Sequence, residues 1–345
     1  MATTVTSMIA HPDSEPKVFI LPDLVSNCHY PLRMNPHCYP VSRASNKWLI
    51  DELRLVEPRS TQIIGFRVGE FSAACYSNTD AFRLRVYSDY MGWLFAMDDW
   101  LEQTDVDQIL RMRQCCISAF RDPINFETEK FGRKLCRSYF SRFRETGGPG
   151  CTERFIHTMD LYLRAVAKEV DNHAKGCILD LESFIALRRE TICVKPSLAF
   201  IEYAAQIDLP TEVVSHPNIT AMENAVIDYA ACSNDIFSYN VEQCRRYNHN
   251  IIICIMHEQG LDLQGAMEYA GQLCKDAIQR FEANRADLPS LGKEIDEQVA
   301  IYVEGLQDWI VSSLHWSFDT NRYFGNDGHI VKQDRIVKVL PKMPL

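Results

Sequence analysis

No uninterrupted apolar stretch reaches ~18 residues, the length a helix needs to cross a bilayer, so a membrane-spanning helix is excluded. Met1 to Pro16 holds no basic region followed by an apolar run, and no secretory signal is expected. Positive charge is in deficit: 36 Lys and Arg stand against 46 Asp and Glu, a net charge of −10. That balance argues against nucleic acid or an anionic membrane surface as the main partner. An anionic substrate stays open, because bound metal inverts the local sign. The 13 cysteines include no CxxC pair, only the adjacent Cys115 and Cys116 and scattered others. Without zinc spacing or a disulfide framework, a reducing, cytoplasmic setting is expected. Asn218-Ile219-Thr220 fits a glycosylation sequon; with no secretory signal the expectation is an unmodified loop. There is no run of period-2 strands, no heptad array and no internal repeat.

What is present is an ordinary globular composition, 46% hydrophobic and 24% charged, in 345 residues. The apolar pattern is helical from about Lys47 to Phe324. Val299, Tyr302, Val303, Leu306, Trp309 and Ile310 keep i, i+3, i+4, i+7 spacing, as do Trp93, Met97, Trp100 and Leu101. Breaks fall at Glu57-Pro58, Asn78-Thr79, 147–150, Leu209-Pro210, His216-Pro217 and 287–292. Connections are short and no long linker divides the chain. One all-α domain of ten or more helices is expected over 1–345. Residues 1–45, rich in Pro, His, Asn and Ser, read as an irregular N-terminal strap, and 326–345 as a polar, basic, loop-like tail.

Two acidic motifs stand 136 positions apart, counted from Asp98 to Asn234. In the first, Asp98 and Glu102 share a helix face and Asp99 lies beside them. They follow Gly92-Trp93-Leu94-Phe95-Ala96-Met97, where buried carboxylates are costly unless paired or metal-bound. The motif reads equally as a hard-cation site or as a solvated helix end. In the second, Asn234, Ser238 and Glu242 fall within ~80° of one face and rise ~6 Å per step, a spacing that can surround one Mg²⁺. The alternative is a polar stripe, but Val226, Ile227, Tyr229, Ala230 and Ala231 make the approach apolar on most sides.

The two motifs, DDxxE and NDxxSxxxE, resemble the metal-binding motifs of class I terpene synthases. The fuller resemblance is to fungal sesquiterpene synthases of the mushroom type, from Phe19-Ile20-Leu21-Pro22-Asp23 to Arg322-Tyr323-Phe324-Gly325. It implies the class I terpenoid synthase bundle with a central apolar cavity. It implies Asp98 on two Mg²⁺ ions and Asn234, Ser238 and Glu242 on a third, with Asp99 beside them and Glu102 where many relatives carry Asp. Val241 stands where many relatives have Lys, so one diphosphate contact is either missing or supplied from elsewhere, with Arg245 and Arg246 as the candidates. Arg188, 46 positions before Asn234, matches the family's diphosphate-sensing arginine, with Arg189 as the neighbouring alternative. A guanidinium can grip phosphate oxygens in bidentate fashion. Thr191 and Ile192 then fall at the linker and effector positions of a broken helix. Arg322-Tyr323 match the family's Arg-Tyr pair, and both can donate to diphosphate.

Phe95, one turn before Asp98, and Trp316, six positions before Arg322, are the expected cavity aromatics, where a ring face stabilises a cation. Tyr76, Phe71 and Phe200 are further candidates. The implied activity is that of a carbon–oxygen lyase, an Mg²⁺-dependent sesquiterpene synthase acting on farnesyl diphosphate as monomer or homodimer. A chain-elongating or head-to-head isoprenyl synthase would carry two Asp-rich motifs, and a mono- or diterpene synthase would differ in substrate length. A non-catalytic helical scaffold would require all four motifs to coincide by chance.

Overall fold

A computed structural model describes residues 18–101, 104–123, 125–126 and 131–344; the side chains of 99–101 and 131–133 lie outside that description. The chain opens with β1 (Val18–Ile20), α1 (Leu24–Asn27), α2 (Cys38–Leu53), α3 (Arg59–Gly65) and α4 (Val68–Cys75). Longer helices follow: α5 (Ala81–Leu101), α6 (Val106–Arg121), α7 (Phe131–Thr146) and α8 (Pro149–Ala174). Next come α9 (Leu181–Thr191), α10 (Val194–Ala205), α11 (Thr211–Val214), α12 (Pro217–Cys244), α13 (Ile251–Gln259), α14 (Leu263–Ala286) and α15 (Lys293–Asp319). The chain closes with α16 (Asn321–Phe324), α17 (Gly328–Asp334) and β2 (Ile336–Lys338), which pairs antiparallel with β1.

Local chemistry starts and stops these helices. The side chains of Asp105, Asp180, Asn250 and Asp262 accept from backbone N–H groups at the starts of α6, α9, α13 and α14, satisfying donors no helix can pair internally. Pro149 and Pro217 begin α8 and α12, where the missing N–H costs nothing. Each break read from the sequence separates two helices. The sequon does not lie in a loop: Asn218-Ile219-Thr220 sits in the first turns of α12.

Both chain ends are more regular than their composition suggests. Within the strap expected over 1–45 lie β1, α1 and the start of α2 at Cys38, and Pro40 falls in the first turn of α2, where proline is tolerated. The tail expected as loop over 326–345 contains α17 and β2. β2 is too short for periodicity to reveal and exists through its pairing with β1, Phe19 opposite Val337.

One apolar cluster runs from Phe19 to Val337. α12 is central to it, packing against α9, α10, α13, α14, α15 and α16. Beside it, Tyr90, Phe143, Phe155 and Phe200 are fully buried at ring separations of 4.7 to 5.4 Å, with Phe200 stacked on Tyr90 at 5.0 Å. α5 is fixed by the buried Asp89, which accepts from Arg85 Nε at 2.7 Å, Arg142 Nη2 at 2.8 Å and Ser45 Oγ at 2.6 Å. Two helices, α2 and α7, thus converge on the one that carries Asp98. Among the described residues no helix is long and apolar enough to cross a membrane. All 13 cysteines are free thiols.

Burial pushes the Glu223 carboxyl of α12 up to about 7, against the Tyr302 hydroxyl that donates to it at 2.6 Å. The folded protein therefore holds this proton more tightly than the unfolded chain, where the value is 4.5. The resulting stabilisation is complete below the unfolded value and is lost as pH rises toward 7. Glu223→Gln keeps an acceptor for Tyr302 and carries no charge. It is expected to match wild type near pH 4.5 and to exceed it by on the order of 1–3 kcal/mol at pH 8. Urea unfolding at the two pH values tests this, and an equal difference at both would refute it.

Candidate active site

A cavity opens among α4, α5, α8, α9, α12, α15 and α16. Its apolar wall is Phe71, Met91, Leu94, Phe95, Val166, Trp309 and Trp316. Phe95 meets Trp316 edge-to-face at 5.5 Å, and Trp316 is anchored by Nε1 donating to the Phe66 carbonyl at 2.8 Å. Of the further aromatic candidates, Phe71 faces the cavity. Tyr76 and Phe200 belong to the packed core instead, Tyr76 donating to the Ser197 carbonyl at 2.7 Å.

The polar end gathers the residues singled out in the sequence. Asp98, Arg188, Asn234, Ser238, Glu242, Arg322 and Tyr323 all line it. Thr191 and Ile192 line it too, at a true helix break: Ile192 N still donates to Arg188 O at 2.9 Å, and Cys193 then turns left-handed at φ 58°. The side chains of Asp99 and Glu102 lie outside the described residues.

Asn234 is the node of this end. Its Oδ1 accepts from Arg188 Nη2 at 2.8 Å, and its Nδ2 donates to the Tyr323 hydroxyl at 2.7 Å. Arg188 also donates through Nε to Asp235 Oδ1 at 3.0 Å, and Asp235 Oδ2 accepts from Ile251 N at 2.8 Å. Burial opposes the charge on Arg188, but Asp235, Glu169 and Glu242 outweigh it and hold the guanidinium protonated. Arg189 points elsewhere, forming a bidentate pair with Asp228. Across the mouth, Arg322 lies over the rings of Phe95 and Phe66 at 4.9 and 5.1 Å, with Nη2 3.4 Å from Asp98 Oδ2. Glu242 is pushed up to about 7 by burial and by Asp235, while Asn250 Nδ2 donates to it at 2.9 Å. Neither Arg245 nor Arg246 lines the cavity, and Arg246 Nε donates to the Met343 carbonyl at 3.0 Å.

Sequence reasoning missed Glu169, Tyr247 and His249, which also line the polar end. Glu169 accepts from the Tyr247 hydroxyl at 2.6 Å and lies 3.2 Å from His249 Nε2. One signal was available: Glu169 interrupts an apolar stripe of Tyr162, Val166 and Val170 on one helix face. Tyr247 and His249 reach the site from a loop, where no period points inward.

An all-helical bundle with oxygen and guanidinium groups at one end of an apolar cavity is the class I terpenoid synthase fold. Among solved structures, an ancestral-reconstruction protein, SVS_A2, superposes with a TM-score of 0.75 at 24% identity, covering 84% of this chain and 88% of that one. α-Eudesmol synthase gives 0.75 at 20% identity, over 84% and 97%. The family model for terpene synthase family 2, C-terminal metal binding, matches residues 89–280, which contain both motifs and Arg188. The sesquiterpene synthase Agr1 of Cyclocybe aegerita is 41% identical over 95% of each chain. The alpha-muurolene synthase of Coprinopsis cinerea is 41% identical over 96% of this chain and 80% of that one. The chain belongs to the terpene synthase family, alongside the fungal sesquiterpene synthases.

Proposed function

We propose that this chain is an Mg²⁺-dependent sesquiterpene synthase that ionises farnesyl diphosphate, cyclises the cation and releases diphosphate. One observation carries this reading: the oxygen donors and the basic donors share one end of a cavity whose other wall is aromatic and apolar. The donor set suits a hard cation, since Asp98, Asn234, Ser238 and Glu242 offer oxygens only. The buried Ser238 Oγ has no hydrogen-bond partner of normal geometry, as expected of an oxygen set aside for an ion. Among the described residues no group of three His, Cys, Asp or Glu side chains is placed to hold a metal ion by itself. That agrees with a mixed Asn/Ser/Glu set completed by phosphate oxygens. Asp98 would hold two Mg²⁺ ions and the α12 triad a third, and when bound they supply Lewis acidity toward the diphosphate leaving group.

The chain's own residues perform the rest. Arg188, Arg322 and Tyr323 neutralise the diphosphate and orient its ester bond toward the apolar wall. The guanidinium that now satisfies Asn234 and Asp235 is the same one that would meet the phosphate. Substrate capture thus competes directly with the Arg188–Asn234 bond. Once the C–O bond breaks, Phe95 and Trp316 face an allylic cation with ring electrons, at ~2 kcal/mol or more per desolvated contact. The apolar wall withholds water and directs ring closure, and the departing diphosphate takes the final proton.

Purified protein incubated with Mg²⁺ and C10, C15 or C20 prenyl diphosphates, with volatile products separated by gas chromatography, tests the proposal. A cyclic C15 product from the farnesyl substrate, abolished by EDTA and restored by Mg²⁺, is expected. Preferential turnover of the C10 or C20 substrate would overturn the substrate assignment, and no product from any would overturn the activity.

A further inference from the structure

Glu242 lies in the last turn of α12, two residues before the helix ends at Cys244. Helix ends fray and open at low free-energy cost, yet the proposed chemistry needs this carboxylate fixed relative to Ser238 and Asn234. The opposite face of those turns shows what restrains them. Asn240 is roughly 160° around the helix from both Ser238 and Glu242. Although polar, it is buried. Its Nδ2 donates to the Lys338 carbonyl at 2.8 Å and its Oδ1 accepts from Leu340 N at 2.9 Å, so it pairs with the tail as a neighbouring strand would. The buried Gln243 donates through Nε2 to the Leu340 carbonyl at 2.8 Å. Met343 N donates to the Cys244 carbonyl at 2.8 Å, satisfying a group that the helix end leaves unpaired.

The same tail leads back through β2 and α17 to α16, the element carrying Arg322 and Tyr323. β2 is itself held by β1, whose Phe19 packs edge-on against Tyr239 of α12 at 6.0 Å. One short stretch thus joins the two halves of the polar end from behind and contributes no residue to the cavity wall.

We propose that residues 336–343 form a clasp that registers the metal-facing turns of α12 against Arg322 and Tyr323, with Asn240 and Gln243 as its positioning residues. The inference rests on the proposed reading of the site. Full-length Asn240→Leu and Gln243→Met are compared with wild type in three measurements. These are melting temperature alone, the melting shift caused by MgCl2 plus inorganic diphosphate, and the Mg²⁺ concentration for half-maximal turnover. In Asn240→Leu the ligand-induced shift is expected to fall below half of the wild-type shift, and the Mg²⁺ requirement to rise about tenfold. The ratio of products should stay unchanged because the apolar wall is untouched. Gln243→Met, which loses its single bond to the tail along with its contacts to Asn240, follows in the same direction by about threefold and decides the matter if Asn240→Leu fails to fold. A wild-type ligand shift and wild-type Mg²⁺ requirement in folded variants would overturn the clasp. Absence of any ligand shift in the wild type would instead overturn the metal–diphosphate reading beneath it.

Discussion

Asn234→Ala is expected to reduce turnover by on the order of 10³-fold or more while the protein remains folded. The side chain is the one point where the α12 triad, Arg188 and Tyr323 meet. Its removal takes away a proposed ligand oxygen and disconnects the two diphosphate-binding groups together. The fold tolerates the loss: alanine suits a helix interior, and Arg188 keeps its bonds to Asp235. The neutral bond lost to Tyr323 costs about 1 kcal/mol and the one lost from the charged Arg188 about 1.5–3 kcal/mol. Asp98→Ala should act similarly on turnover with even less effect on stability, because that carboxylate is 46% exposed. Product yield against melting temperature for both variants is the measurement, and a wild-type yield from either would sink the metal assignment.

Arg188→Met is expected to do two things that Asn234→Ala does not separate. It removes the proposed diphosphate grip, and it strands Asp235, which is fully buried and pairs with this guanidinium at 2.8 Å. Burial already pushes the Asp235 carboxyl above its usual range, with Arg188 as the chief opposing influence. Breaking a buried pair by removing one partner costs about 3–5 kcal/mol, so the single variant should be both inactive and destabilised. The double variant Arg188→Met/Asp235→Asn removes the stranded charge and keeps an acceptor for Ile251 N. It should regain most of the lost stability and none of the turnover. Urea midpoints and product yields for the three proteins decide it. If the double variant recovers turnover with stability, Arg188 is only a structural partner of Asp235.

Much of the site was legible because helices turn sequence spacing into spatial proximity. Asn234, Ser238 and Glu242 needed only a period of 3.6 to share a face, and that face does line the cavity. Arg188 over Arg189 rested on the family resemblance, 46 positions before Asn234, and not on helical period. Neighbours on a helix point ~100° apart, and which one turned inward depended on Asp228 capturing Arg189 from the other side. Neither Arg245 nor Arg246 lines the cavity, and Arg246 faces the Met343 carbonyl. Glu169 and His249 carry no spacing that relates them to the motifs, and they meet only where α8 passes the loop after α12.

Helical class, the principal breaks and the donor types follow from local chemistry: apolar period, capping side chains, prolines, and oxygen-rich spacing. Those depend on residues a few positions apart, and the chain carries them before it folds. Long-range closure is different in kind. The pairing of Phe19 with Val337, the grip of Asn240 on the tail and the choice of Arg188 depend on segments from about 50 to over 300 positions apart. Backbone amides pair with any strand that reaches them, and a polar side chain turns to whichever partner relieves its burial. Only packing of the whole bundle brings those partners within reach.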